Sequence, residues 1–267
     1  MLGSVFAKSL RDLRRSFVGW SLGLAGYVAL IVAVYPTIRD NPDLNKLVES
    51  YPEALKAFIA FGGQADFTSA AGYLGSELFA FMIPALFLVA SVGNGAGAIA
   101  GEEERGTLDL LLSFPRSRTR IALEKLAAMC AEVVGLGVVL WLALWIGARI
   151  FGMHVSAVHL GSAAAVLVAL AIAYGAIAFM LAAGTGRKTL AVGLTVALAV
   201  SAYLVNSLAA LVDALEPFRK LSPFYHYVAG DPLRRGLDPW HTLFLVVLGV
   251  VAAVAGVLLF ARRDVAP

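Results

Sequence analysis

Six long apolar runs alternate with shorter polar segments along this chain. Each run can supply the roughly 20 apolar residues with which a helix crosses the hydrocarbon core of a bilayer. The runs are continuous rather than alternating, and an open sheet edge cannot face lipid, so the pattern predicts helices and not strands. The predicted spans are residues 16–38, 76–100, 122–148, 159–183, 190–212 and 240–261.

Composition indicates the same class of protein. The 267 residues are 60% hydrophobic and 15% charged, with a mean hydropathy of +0.83, whereas soluble domains are roughly 45–50% apolar and about 25% charged. We therefore predict an all-α integral membrane protein in which residues 1–267 form a single domain with six transmembrane helices.

Three further segments lie outside the predicted spans. Residues 1–15 place apolar side chains near helical spacing and basic side chains mostly on other faces, which predicts an interfacial amphipathic helix on the cytosolic leaflet or a plain basic flank. Residues 39–75 and 213–239 are the predicted external segments. The apolar residues of segment 39–75 are spaced as in one or two short amphipathic helices. Segment 213–239 is rich in proline and aromatic residues, which is typical of an anchor at the membrane interface or of a lid over an external exit.

Orientation follows from the 21 lysine and arginine residues, because basic residues concentrate on the cytosolic side of membrane proteins. With six spans both termini share one side. That side collects thirteen of them: Lys8, Arg11, Arg14, Arg15, Arg105, Arg116, Arg118, Arg120, Lys125, Arg187, Lys188, Arg262 and Arg263. The other side collects eight: Arg39, Lys46, Lys56, Arg149, Arg219, Lys220, Arg234 and Arg235. We expect both termini in the cytosol of a prokaryote, with the chain in the plasma membrane.

A stripe of glycines ends the second predicted span. Gly93, Gly97 and Gly101 recur every four residues and so share one face of a helix. Small residues let helix backbones approach closely in lipid, which predicts a tight helix contact. Bending at a gate is the alternative role.

The densest group of charges lies in residues 101–120, between the second and third spans. Thr107 can cap a short helix, and Pro115 cannot continue one. This predicts a short cytosolic helix with an acidic entry, a leucine face that needs an apolar groove, and a basic exit. The residues concerned are Glu102, Glu103, Glu104, Arg105, Gly106, Thr107, Leu108, Leu111, Leu112, Pro115, Arg116 and Arg118.

The run GEEERGTLDLLLSFPRSRTRIALEKLAAM resembles the signature of ABC-2 type transporter permeases. In that signature an acidic stretch precedes Gly-Thr, a leucine-rich turn, a proline, a basic cluster and the lysine that starts the third span. The matching residues here are Glu102 to Glu104, Gly106, Thr107, Leu108 to Leu112, Pro115, Arg116 to Arg120 and Lys125. The six-span plan and the segment 222–239 also match, so the resemblance extends over essentially the whole chain.

The resemblance implies a permease subunit of an ATP-driven exporter, not itself an enzyme. A separate ATPase subunit, holding ATP and Mg²⁺, would dock on residues 101–120, and a second permease chain, identical or related, would complete the pathway. In this account the glutamates at 102–104 and the arginines at 116–120 contact the ATPase, and Leu108, Leu111 and Leu112 supply the apolar anchor. The spans hold few polar side chains, which favours an amphipathic, lipid-like or drug-like substrate.

Other sites are weaker. Glu132, in the third span, is either a functional carboxylate or half of a structural pair. His154 and His159 stand without a third ligand, so we expect no metal site and no catalytic residue. The run GTGRKT at 184–189 lacks the glycine spacing of a phosphate loop. A membrane enzyme would need catalytic groups that face one another at membrane depth, and this sequence does not offer them. A secondary transporter driven by an ion gradient remains the alternative function.

Overall fold

The computed structural model describes residues 5–40, 50–52, 68–107, 117–209 and 211–263. Within these ranges the chain is helical and has no strand, which confirms the predicted all-α class. A π-helical turn, Gly75–Phe79, and a 3₁₀ turn, Asp213–Leu215, accompany the α-helices. The α-helices are α1 (Val5–Arg39), α2 (Ala70–Leu74), α3 (Met82–Gly97), α4 (Ala100–Glu104), α5 (Arg118–Ile150), α6 (Ala157–Thr185), α7 (Lys188–Leu208), α8 (Glu216–Arg219), α9 (Pro223–Ala229) and α10 (Pro239–Arg262).

Five helices are long and apolar enough to cross a membrane: α1, α5, α6, α7 and α10. A sixth span arises if the bent pair formed by residues 70–79 and 82–97 is counted as one. Helices α5, α6, α7 and α10 each correspond to one predicted span, and their ends lie within about one helical turn of its predicted bounds. The chain is therefore a multi-pass membrane protein.

Helix α1 differs from the prediction of a separate interfacial helix followed by a span. Residues 5–39 form one uninterrupted helix, because the stretch from Lys8 to Val18 contains neither glycine nor proline and nothing in it ends a helix. At 1.5 Å per residue its 35 residues extend over about 50 Å, beyond the roughly 30 Å core of a bilayer. Its basic first third therefore extends past the apolar part of the span.

The predicted second span, residues 76–100, is not one continuous helix but overlaps the bent pair formed by residues 70–79 and 82–97. The two parts meet at a 41° bend. Pro84 explains the break, because it has no N–H to donate to the carbonyl of Ala80 and its ring crowds that turn. Broken backbone at membrane depth needs other partners, and the hydroxyl of Tyr227 donates to the carbonyl oxygen of Phe79 at 3.0 Å.

Helix α6 forms the centre of the bundle. Of its most apolar 18 residues 67% are buried, against 17% for α1 and for α7. It packs against α3, α5, α7 and α10. Its contact with α3 is close: a Cβ on Gly95 would lie 2.1 Å from the carbonyl oxygen of Gly175. Only glycine allows the two backbones to approach this closely.

The predicted glycine stripe does not make the close backbone contact within this chain. A Cβ on Gly93 would meet nothing within 4 Å, and those on Gly97 and Gly101 would meet side chains rather than backbone. Helix α3 also ends at Gly97, so Gly101 lies in the next helix, α4. Gly95, on the opposite face, makes the close contact. A role for the stripe in bending stays a prediction.

Several helix ends meet at one end of the bundle, which we call the charged end. It contains the start of α1, the end of α4, the start of α5, the turn from α6 to α7 and the end of α10. Beneath it lies a second apolar cluster that includes Ile99, Leu126, Phe179 and Phe260. The predicted coupling segment, residues 101–120, begins and ends here.

Candidate coupling site at the charged end

Glu102 is buried and fixed to the start of α5. Its Oε1 lies 2.6 Å from Nζ of Lys125, and the two side chains are only 7% and 8% exposed. The hydroxyl of Thr107 donates to its other oxygen, Oε2. Burial raises the pKa of Glu102, but the hydrogen bonds from Lys125 and Thr107 and the charge of Lys125 outweigh it and lower the pKa to about 2. Glu102 is therefore a carboxylate at neutral pH.

Glu103 pairs with the end of α10. A guanidinium nitrogen of Arg263 donates to Oε1 of Glu103. The same guanidinium lies over Gly186, where an added Cβ would be 2.1 Å from it, and where the positive φ of 69° also favours glycine. Arg118, in the first turn of α5, donates to the carbonyl oxygen of Arg263. Through Glu103, Arg118 and Gly186, Arg263 thus links the end of α10 to α4, α5 and the turn that follows α6.

Glu104 caps α7. Its Oε1 accepts the backbone N–H of Lys188, the first residue of that helix, at 3.0 Å. The first N–H groups of a helix have no partner inside it, and negative charge there is favourable. The preceding residue, Arg187, gives no side-chain cap, so the carboxylate of a distant residue takes that role.

A fourth glutamate joins α1 to the same end. Oε2 of Glu124, on α5, accepts the backbone N–H of Phe6 at 2.9 Å, and its Oε1 pairs with Arg120 at 3.0 Å. Three consecutive glutamates, 102 to 104, which we call the glutamate triplet, therefore bind α5, α10 and α7 in turn, while Glu124 binds α1. Movement of α4 would act directly on α5, α10 and α7, and on α1 only through α5.

The described residues of the predicted site are thus brought together, but the triplet has a different role from the one predicted. Glu102 was expected to contact a partner, yet it is buried against Lys125 because an unpaired lysine at that depth would be costly. Arg105 remains 66% exposed, and Gly106 has the positive φ of 66° that a turn requires. Five predicted residues lie outside the described residues: Leu108, Leu111, Leu112, Pro115 and Arg116.

Sequence reasoning missed three partners of the triplet. Lys125 was assigned only to the start of the third span, although a lysine one turn inside a span needs a nearby acid, and that was the available signal. Arg263 and Lys188 gave no such signal, because their partners lie 160 and 84 residues away in sequence.

Glu132 lies deeper in α5, away from the triplet. It is only 3% exposed. The side-chain amide of Asn94, on α3, donates to its Oε2. The structural alternative for Glu132 is a pair with lysine or arginine, but among the described residues the amide of Asn94 takes that place.

The comparison with known families agrees with this arrangement of helices. A family model described as ABC-2 family transporter protein matches residues 4–265. The chain belongs to the ABC-2 transporter family. None of the curated proteins compared with this ABC-2 chain matches it.

Membership gives the general role. An ABC-2 chain is the membrane-spanning permease subunit of an ABC transporter, and the family implies an ABC ATPase partner in general. The run GTGRKT fits this role, because it forms the turn from α6 to α7, with Gly186 as the left-handed cap of α6. It does not follow a strand, as a phosphate loop does.

Proposed function

We propose that this ABC-2 permease is the transmembrane part of an exporter of amphipathic, lipid-like or drug-like molecules, moved by an ATPase that docks on residues 101–120. The observation that supports it best is the glutamate triplet. Three adjacent side chains at the base of that segment bind three different helices, so a push on the segment reaches most of the bundle.

In this proposal, movement of the ATPase passes to the helices through the ion pairs of the glutamate triplet. The ATPase grips the leucine-rich stretch 108–112 and the exposed charges beside it, with Arg105 among them. At the base of the segment, the buried pair of Glu102 and Lys125 moves α4 and α5 together. Glu103 then moves α10 through Arg263. Helices tilted in this way change the side of the membrane to which a pathway between two permease chains opens.

Orientation and cargo complete the proposal. The basic excess at the charged end supports an orientation with that end and both termini in the cytosol, where ATP is available. The proposal assigns the chain to the plasma membrane of a prokaryote. The large apolar surfaces of the spans favour an amphipathic cargo. An ion-gradient transporter is the second candidate, because Glu132 offers one buried carboxylate at membrane depth.

Co-purification tests docking. The tagged permease, extracted in a mild detergent from its native host, should bring an ABC ATPase with it and show ATP hydrolysis. Leu111→Asp should keep the permease in the membrane but lose the ATPase, because a charge cannot enter an apolar groove without a partner.

Leu237→Asp is the matched control. Leu237 is 46% exposed in the predicted external segment, so its variant should keep the ATPase. Recovery of the ATPase with Leu111→Asp would refute docking at this segment. Substrate transport that depends on a proton gradient and not on ATP would support the ion-gradient transporter.

A further inference from the structure

A groove runs between the first third of α1 and the fourth and fifth turns of α5. Its volume is about 420 Å³. Leu13 and Phe17 give it apolar walls, Arg11 and Arg14 give it positive charge, and Glu132 gives it a carboxyl group. The groove therefore combines two exposed cations with a buried carboxyl group and a hydrocarbon-like surface.

Glu132 has one oxygen without a partner. Its Oε2 accepts from Asn94, whereas Oε1 is buried and accepts no hydrogen bond from the described residues. Buried carboxyl oxygens almost always have partners, since leaving one without a partner is costly. A ligand that donates an N–H to Oε1 would remove that cost.

The two arginines are also free to bind a ligand. Arg11 and Arg14 are exposed, lie three residues apart on α1 and so share a face. Neither side chain makes an ion pair or a hydrogen bond in the described part of the chain. Both lie in the basic first third of α1, which extends past the apolar part of that span.

We propose that this groove binds a phospholipid whose headgroup contains a primary amine. The ammonium donates to Oε1 of Glu132, the phosphate pairs with Arg11 and Arg14, and an acyl chain lies along Leu13 and Phe17. Ammonium, phosphate and hydrocarbon match the three kinds of surface in the groove one to one. The proposal goes beyond the transport function and needs no ATPase partner.

Native mass spectrometry of the delipidated permease tests it. The probe is an equimolar mixture of phosphatidylethanolamine, phosphatidylcholine and phosphatidylglycerol with the same acyl chains. Wild type should retain the ethanolamine lipid in preference to the other two, because only its headgroup combines N–H donors with a phosphate. A charge-assisted hydrogen bond corresponds to a preference of roughly tenfold.

Three variants separate the contributions. Glu132→Gln should remove the preference for ethanolamine over choline. Arg14→Gln should weaken retention of all three lipids, because each has a phosphate. Arg15→Gln is the matched control: Arg15 is exposed on the same helix but does not line the groove, so retention should not change.

Stepwise methylation of the amine tests the proposal in wild type alone, should Glu132→Gln fail to fold. Retention should fall with each N–H replaced by a methyl group. Three results would overturn the proposal: equal retention of ethanolamine and choline lipids, preference for phosphatidylglycerol, which needs only the arginines, or an unchanged preference in folded Glu132→Gln.

Discussion

At the scale of single residues, the carboxylate of Glu102 matters most for the charged end. It is buried, its pKa is about 2, and it neutralises a lysine that is just as buried. Such a pair adds little net stability over apolar residues of similar size, but removing one partner is costly because the other charge stays buried. Removing Arg105 should cost far less stability than removing Glu102, because the side chain of Arg105 is largely exposed.

Glu102→Ala should lower the free energy of unfolding in detergent by about 3–5 kcal/mol, because it leaves Lys125 buried without a counter-charge. Thermal unfolding followed by tryptophan fluorescence measures the change. The double variant Glu102→Ala with Lys125→Met should recover most of the loss. If the two single losses simply add in the double variant, the pair is not coupled.

At the opposite end, His226 predicts a dependence on pH. Its burial, opposed by a hydrogen bond to the carbonyl oxygen of Lys220 and assisted by His241, lowers its pKa below 6.5. The unfolded chain thus binds a proton more readily, so His226 contributes stability above about pH 6.5 that is lost as the pH falls through its folded pKa.

The midpoint of thermal unfolding should therefore drop between pH 7.5 and 5.5, and His226→Gln should make that drop smaller. His154→Gln, at an exposed histidine, is the control and should leave the slope unchanged. An identical slope in wild type and His226→Gln would contradict the assignment.

At the scale of elements, the broken second span shows how a helix break is tolerated in a membrane. Pro84 removes a backbone hydrogen bond, and Tyr227 donates its hydroxyl to Phe79 from a short helix outside the spans. One aromatic residue of the predicted external segment thereby bonds the backbone beside the bend. This gives the segment 213–239 a structural contact with the second predicted span. Its roles as an interfacial anchor or an external lid stay predictions.

Tyr227→Phe should cost about 1–3 kcal/mol of unfolding free energy, because the carbonyl of Phe79 loses a buried donor. Tyr225→Phe is the control, since the hydroxyl of Tyr225 makes no hydrogen bond in the described part of the chain. Equal unfolding curves for wild type and Tyr227→Phe would show that the backbone at the bend is satisfied without it.

Elements also show what could be predicted from sequence. Apolar length alone located α5, α6, α7 and α10, because the bilayer fixes how long a span must be. The break at Pro84 had a local cause and was predictable in principle. The pairs of Glu103 with Arg263 and of Glu104 with Lys188 were not, because they depend on which helix ends meet in the folded bundle.

At the scale of the whole molecule, α6 holds the bundle together and the charged end links its other helices. The only cysteine, Cys130 on α5, is half-buried and borders the apolar cluster beneath the charged end. It contacts the region through which α4 would move α5 and α10. The native chain therefore contains its own reporter of that movement.

The most direct test of the coupling account is the rate at which a maleimide labels Cys130 in the complex with the ATPase. The account predicts that the rate differs between the nucleotide-free complex and the complex trapped with ATP and vanadate, and that Leu111→Asp abolishes the difference. Equal rates in both states of the wild-type complex, with ATP hydrolysis intact, would contradict the claim that residues 101–120 transmit the movement.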